Sequence, residues 1–163
     1  MPGLEDLYRE IILDHYRTPR NRGELETPPA VKIDGHNPLC GDEISVYLAV
    51  EPAENGDPDD AIVTEIKIGG QGCSISQSSA SMMTKAVMGK SVGEINATMR
   101  RFKSMMGIDG IELSPADHDL DLGELEALQG VVKFPVRIKC AVLSWNTLAN
   151  AIAASATRPD DDA

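Results

Sequence analysis

The chain has 163 residues, 26 acidic and 15 basic, for a formal net charge of -11, and 42% of its side chains are hydrophobic. That length fits one domain with a real core and argues against two, while the acidic balance lacks the basic surface that binding nucleic-acid phosphates requires. No stretch approaches the roughly 18 apolar residues of a membrane span, and the opening Met-Pro-Gly-Leu-Glu-Asp lacks the basic-then-apolar build of a secretory leader. A cytoplasmic protein without membrane or nucleic-acid partners is expected.

Leu4, Leu7, Tyr8, Ile11, Ile12 and His15 fall at the spacing of one helical stripe, which predicts an amphipathic helix over residues 4–16, stopped by Pro19 and Gly23. Val31–Asp34 is a short strand candidate, and Ile44–Val50 and Ile62–Ile68 are β-branched stretches that predict longer strands. The connection between those two, residues 51–61, holds Pro52, Gly56, Pro58 and five carboxylates, as a solvated loop between antiparallel strands does. After Gly69, Gly70 and Gly72 the small-residue run Ser74–Ser81 predicts a helix lying close against the sheet. Ser91 and Glu94 form a capping-box pattern before the stripe Val92, Ile95, Met99 and Phe102.

From residue 104 to 132 there are seven carboxylates and no Lys or Arg. With Ser114-Pro115 and Asp121 as candidate helix starts, this acidic segment, about 107–130, reads as an inserted surface element carrying a solvent-facing His118. Pro135 opens a last helix with Ile138, Ala141, Val142, Trp145, Leu148, Ala149 and Ile152 on one face and Trp145 in the core. Residues 158–163 read as a disordered charged tail after one domain over residues 1–157. The fold class is α+β, a small antiparallel sheet of about three strands covered by helices.

Three cysteines cannot all pair internally, and each stands where secondary structure changes. Cys40 precedes a strand in Asn37-Pro38-Leu39-Cys40-Gly41-Asp42, Cys73 sits at a glycine-rich strand-to-helix turn, and Cys140 lies near the opening of the last helix. Backbone N–H groups at a helix start favour thiolate over thiol. Gly41 permits a tight turn that lets Asp42 face the same site as Cys40. Three thiolates and a carboxylate suit tetrahedral Zn²⁺ or iron, whereas Mg²⁺ or Ca²⁺ would want mostly oxygen. His15 and His36 are also potential ligands, but a lone His beside a helix end or strand is more often a satisfied structural residue.

The segment Asn37–Asp42, the run Gly72-Cys73-Ser74-Ile75-Ser76 with its following Ser-Ala-Ser-Met-Met, and the segment Phe134–Ala141 resemble the three cysteine motifs of the IscU/SufU iron-sulfur assembly family. Ile12-Leu13-Asp14-His15-Tyr16 with Pro19-Arg20-Asn21 extends the resemblance over about residues 4–152. Two departures point to the SufU branch. Lys139 precedes Cys140 where the IscU branch has His, and Lys133-Phe134-Pro135-Val136-Arg137 replaces the Leu-Pro-Pro-Val-Lys chaperone handle. The acidic segment also lies where that branch carries its extra piece.

The resemblance implies zinc bound by Cys40, Asp42, Cys73 and Cys140, and transfer of persulfide sulfur from a SufS-type cysteine desulfurase to Cys40. Downstream iron-sulfur assembly proteins would be further partners. It also links Arg137 to the desulfurase encounter. The chain would then be a sulfurtransferase-like carrier rather than a small-molecule enzyme. A loop between Pro38 and Gly41 lets Cys40 leave a shared site at least cost, since helices hold the other two thiols. Two other readings use the same residues: a scaffold on which an iron-sulfur cluster is built, with iron or the cluster in place of zinc, and a structural zinc adaptor.

Overall fold

The computed structural model describes residues 4–27, 29–38 and 41–156. Three strands form one antiparallel sheet in the order β1-β2-β3, with β1 at Val31–Asn37, β2 at Asp42–Glu51 and β3 at Ile62–Gln71. Asn37 pairs with Asp42, so β1 and β2 are joined by a four-residue hairpin loop, residues 38–41. Gly41 adopts a φ of 70°, and its N–H donates to the Asn37 carbonyl at 2.9 Å. That left-handed conformation is the reason a glycine is needed there. Ile44, Val46 and Leu48 of β2 and Val63, Ile66 and Ile68 of β3 are buried on one sheet face. Ser45, Lys67 and Glu65 are partly or fully exposed on the other. Such alternation is what an antiparallel sheet covered on one side requires.

Helices cover the buried face. α1 spans Leu4–Arg17, α2 Ser74–Val87, α3 Val92–Met105, α4 Pro115–His118 and α5 Pro135–Ala156. α5 lies across β1 and β2, and α2 is held between α1 and α5. The small-residue run therefore serves helix–helix packing more than the expected close approach to the sheet. Ser76, Ser78, Ser79 and Ser81 are all fully buried, and Ser79 Oγ donates to the Ala141 carbonyl at 2.6 Å. Hydroxyls satisfied this way let α2 and α5 approach without stranding polar groups. Trp145 is a core residue, fully buried and stacked on Phe102 with ring centroids 5.1 Å apart. The capping box at α3 forms as expected, with Ser91 Oγ accepting from Glu94 N–H and Glu94 Oε1 accepting from Ser91 N–H.

The chain after α1 covers the free edge of β3. Asn21, at φ 57°, accepts through its carbonyl from Ile68 N–H, and Gly23 N–H donates to Ile68 O, both at 3.0 Å. A blocked edge cannot template pairing with another chain.

The acidic segment departs from the expectation of a surface element. Its first part does lie outside, with α4 capped by Ser114 and Asp117 and His118 exposed. Its second part forms 3₁₀ turns over Gly123–Lys133 whose Leu125, Leu128 and Val131, together with the preceding Leu122, are buried in the main core. These four recur every third residue, and in a 3₁₀ helix residues three apart stack on one edge. That edge is apolar although the segment's net composition is acidic. The tail expected at 158–163 lies outside the described residues.

Candidate metal centre

The turns at the sheet's end bring three of the chemistry-bearing residues together. Asp42 is the first residue of β2, Cys73 is the N-cap of α2, and Cys140 lies in the second turn of α5. Their donor atoms all fall within 4.8 Å of one another. Asp42 and Cys140 are fully buried and Cys73 is partly exposed. Cys40 and its neighbour Leu39 lie outside the described residues.

Asp42 is oriented by the backbone around Cys73. Its Oδ1 accepts Cys73 N–H at 2.9 Å, and its Oδ2 stands 3.8 Å from Cys73 Sγ. Gly72 makes the approach possible, because a Cβ there would collide with Asp42 Oδ1 and Ser76 Oγ. Cys73 leaves its N–H free of the helix ladder while its carbonyl accepts from Gln77 N–H at 3.1 Å, as an N-cap residue does. Cys73 therefore stands at the start of α2, as expected. Cys140 does not, being the sixth residue of α5 and beyond the first turn, where a helix dipole acts.

No Lys or Arg among the described residues forms an ion pair with Asp42. A cation shared with the two thiols would supply a counter-charge to this buried carboxyl group. The donors match a soft or borderline divalent ion such as zinc or iron. The residues present fit a metal.

Arg137 is exposed and its guanidinium faces both thiols. The negative charge available at Cys73, and then hydrogen bonding to Cys140, raise the Arg137 pKa above its usual value. The Arg137 N–H donates to the Phe134 carbonyl at 2.7 Å, which fixes the turn preceding α5. Lys139 is exposed nearby, and His36 is exposed on β1 outside the cluster. His15 is not in the site. It is fully buried, with Nδ1 2.7 Å from Ser81 Oγ and Nε2 2.9 Å from Glu124 Oε1, a satisfied structural residue.

Beside Cys73 opens a groove of about 1030 Å³ between α1, the 3₁₀ turns and the start of α5. Phe134 and Val136 on its rim are each 62% exposed. The sequence reading passed over this feature, although an apolar residue on each side of Pro135 at a helix start is the trace it leaves.

An Asp-Cys-Cys cluster with the donor chemistry of a metal site, at the end of a three-stranded α+β domain, gives the class: a small domain with a candidate metal centre. The model of the NifU-like N-terminal domain matches residues 7–141. The zinc-dependent sulfurtransferase SufU of Bacillus subtilis is 45% identical over 93% of this chain and 92% of its own. The iron-sulfur cluster assembly scaffold protein IscU of Streptococcus pyogenes is 42% identical over 94% of this chain and 87% of its own. Among solved structures, the FiSufU protein of Fervidobacterium islandicum AW-1 superposes with a TM-score of 0.71 at 31% identity, covering 92% of this chain and 99% of that one. A NifU-like N-terminal domain of Brucella abortus reaches a TM-score of 0.73 at 21% identity over 95% and 98% of the two chains, a likeness of fold. The chain belongs to the NifU-like N-terminal domain family, the IscU/SufU family of iron-sulfur cluster assembly proteins. No helix of the described residues is long and apolar enough to cross a membrane.

Proposed function

We propose that this protein is a zinc-dependent sulfur carrier of iron-sulfur cluster assembly that receives persulfide sulfur on Cys40 from a SufS-type cysteine desulfurase and passes it to downstream assembly proteins. The observation that carries this reading is the convergence of Asp42, Cys73 and Cys140, far apart in sequence, to within 4.8 Å, with Asp42 two residues after Cys40 in the chain. The 45% identity to a relative named as a zinc-dependent sulfurtransferase supports it.

Asp42, Cys73 and Cys140, with Cys40, would hold the metal. Bound zinc would keep the thiols deprotonated at neutral pH. Cys73 and Cys140 belong to helices packed into the core, whereas Cys40 falls in sequence between the end of β1 and the start of β2, next to Gly41. Cys40 is therefore the thiol that moves at least conformational cost. Its thiolate attacks the outer sulfur of the desulfurase persulfide. A new sulfur–sulfur bond forms on Cys40, the bond in the donor persulfide breaks, and the donor cysteine leaves as a thiolate, with no net oxidation. Arg137, exposed at the mouth of the cluster, offers a fixed positive charge where donor and acceptor sulfurs, both anionic, must meet.

A scaffold role is the second reading, favoured by the 42% identity to a relative named as a cluster assembly scaffold. Purification without added iron, followed by metal analysis and a desulfurase activation assay, separates the two. A carrier yields about one zinc per chain and stimulates the desulfurase. A scaffold yields a coloured iron-sulfur species when supplied with iron and sulfide.

A further inference from the structure

We infer that the groove beside Cys73 is a docking site for an amphipathic helix of a partner protein, apolar on its inserted face and acidic along its flanks. The chain contains two phenylalanines, and while Phe102 is fully buried in the core, Phe134 is left 62% exposed. Val136, just beyond Pro135, is equally exposed. Phe134 and Val136 are the most exposed large hydrophobics among the described residues, and they flank Pro135 at the rim of one apolar cleft, a contiguous patch rather than single scattered residues.

Tyr8 and Ile12 of α1 form one wall, Ala127 and Val131 the second, and Ile75 lies at the inner end next to Cys73. At about 1030 Å³ the cleft is at or above the upper end of the usual range for small-molecule pockets. It is also open along its length and mostly apolar, which suits a row of side chains from a helix.

Charge selects the occupant. Although the chain has a net charge of -11, the described residues lining the groove include Arg9, Lys133 and Arg137 and no carboxylate. Arg9 makes one exposed contact with Asp6 at 3.6 Å, a pair worth little. A basic rim on an acidic protein steers acidic segments toward the groove and turns basic ones away. Cys73 at the inner end sets such a helix against the cluster. The inference rests on the sulfur-transfer reading only for why a partner must come so close to the thiols.

The test uses the full-length zinc-loaded chain and two synthetic helical peptides of about 15 residues with the same leucine stripe, one flanked by Glu and one by Lys. Fluorescence anisotropy is expected to show the Glu peptide binding at least about tenfold tighter than the Lys peptide. Val136→Asp and Lys133→Glu are each expected to weaken it about tenfold, with unchanged zinc content and melting temperature. Both substitutions are at exposed positions, so neither should perturb the core. Equal binding of the two peptides, no binding of the Glu peptide, or insensitivity to both substitutions would overturn the inference. Failure of the sulfur-transfer reading would show separately, as absence of persulfide on Cys40 in a chain that still binds the Glu peptide.

Discussion

His15 and Glu124, 109 residues apart, meet at 2.9 Å and join the first helix to the acidic segment. A carboxylate can only accept, so the His15 Nε2–H donates to Glu124 Oε1, and Nδ1 accepts from the Ser81 hydroxyl at 2.7 Å. Ser81 Oγ in turn accepts from Arg20 N–H at 2.8 Å, and Lys85 Nζ donates to Glu124 Oε1 at 2.9 Å. Every polar group of this junction is used with the imidazole neutral.

His15→Ala leaves the Ser81 hydroxyl without its acceptor and Glu124 with Lys85 alone, and is expected to cost about 2–3 kcal/mol. Urea denaturation of the variant beside the unmodified chain measures this. A midpoint within error of the unmodified value would show that the junction is not structural.

The same junction sets a pH dependence. Burial, acting against the Glu124 hydrogen bond, lowers the His15 pKa below its ordinary value. The unfolded chain therefore binds the proton more readily, so the His15 contribution is complete above about pH 6.5 and falls as pH drops toward the lowered value. Burial raises the Glu124 pKa, but hydrogen bonds from Lys85 and His15 outweigh it and the net shift is downward. Its contribution is present above the ordinary glutamate value and is lost only at still lower pH. Melting temperature should decline from pH 7 to 5 in the unmodified chain and decline less in His15→Gln.

Leu125→Ala and Leu128→Ala are each expected to cost about 2–5 kcal/mol, because both side chains are fully buried. Deleting residues 109–128 removes both with Leu122, and should unfold the domain and release its metal. Removing residues 109–112, which are largely exposed, should leave metal content intact. Circular dichroism and zinc analysis of the two deletions decide between a core segment and a surface insert.

Gly72→Ala places a methyl group against Asp42 Oδ1. It should weaken metal retention while leaving secondary structure in place, and competition with a chromogenic chelator would measure the loss. Cys73→Ala or Cys140→Ala should lower the melting temperature of the loaded chain by about 4 °C or more. After chelation these variants and the unmodified chain should melt close together.

How far the sequence reached depends on the kind of signal each part leaves. α1 and α3 were readable because Leu7, Ile11 and Phe102 repeat at helical spacing and Ser91 with Glu94 spells out a cap. β2 and β3 were readable from β-branched runs around a polar turn. The left-handed turn at Gly41 was readable, whereas the approach of Asp42 to Cys73 past Gly72 depends on a tertiary contact that no local pattern encodes. The core role of the acidic segment was missed because its charges dominate the composition, while the informative feature is the three-residue recurrence of Leu122, Leu125, Leu128 and Val131. His15 was legible as a satisfied structural residue, but its partner Glu124 was not, because only the fold brings the two together.

The central claim is tested most directly by following labelled sulfur from a persulfide-loaded SufS-type desulfurase to the chain under reducing, iron-free conditions, with the receiving cysteine located by mass spectrometry. The account predicts label on Cys40 in the unmodified protein and none in Cys40→Ala, which should retain part of its zinc through Asp42, Cys73 and Cys140. Transfer to Cys40→Ala at the unmodified rate, or a stable iron-sulfur absorbance in the unmodified protein as purified, would contradict it.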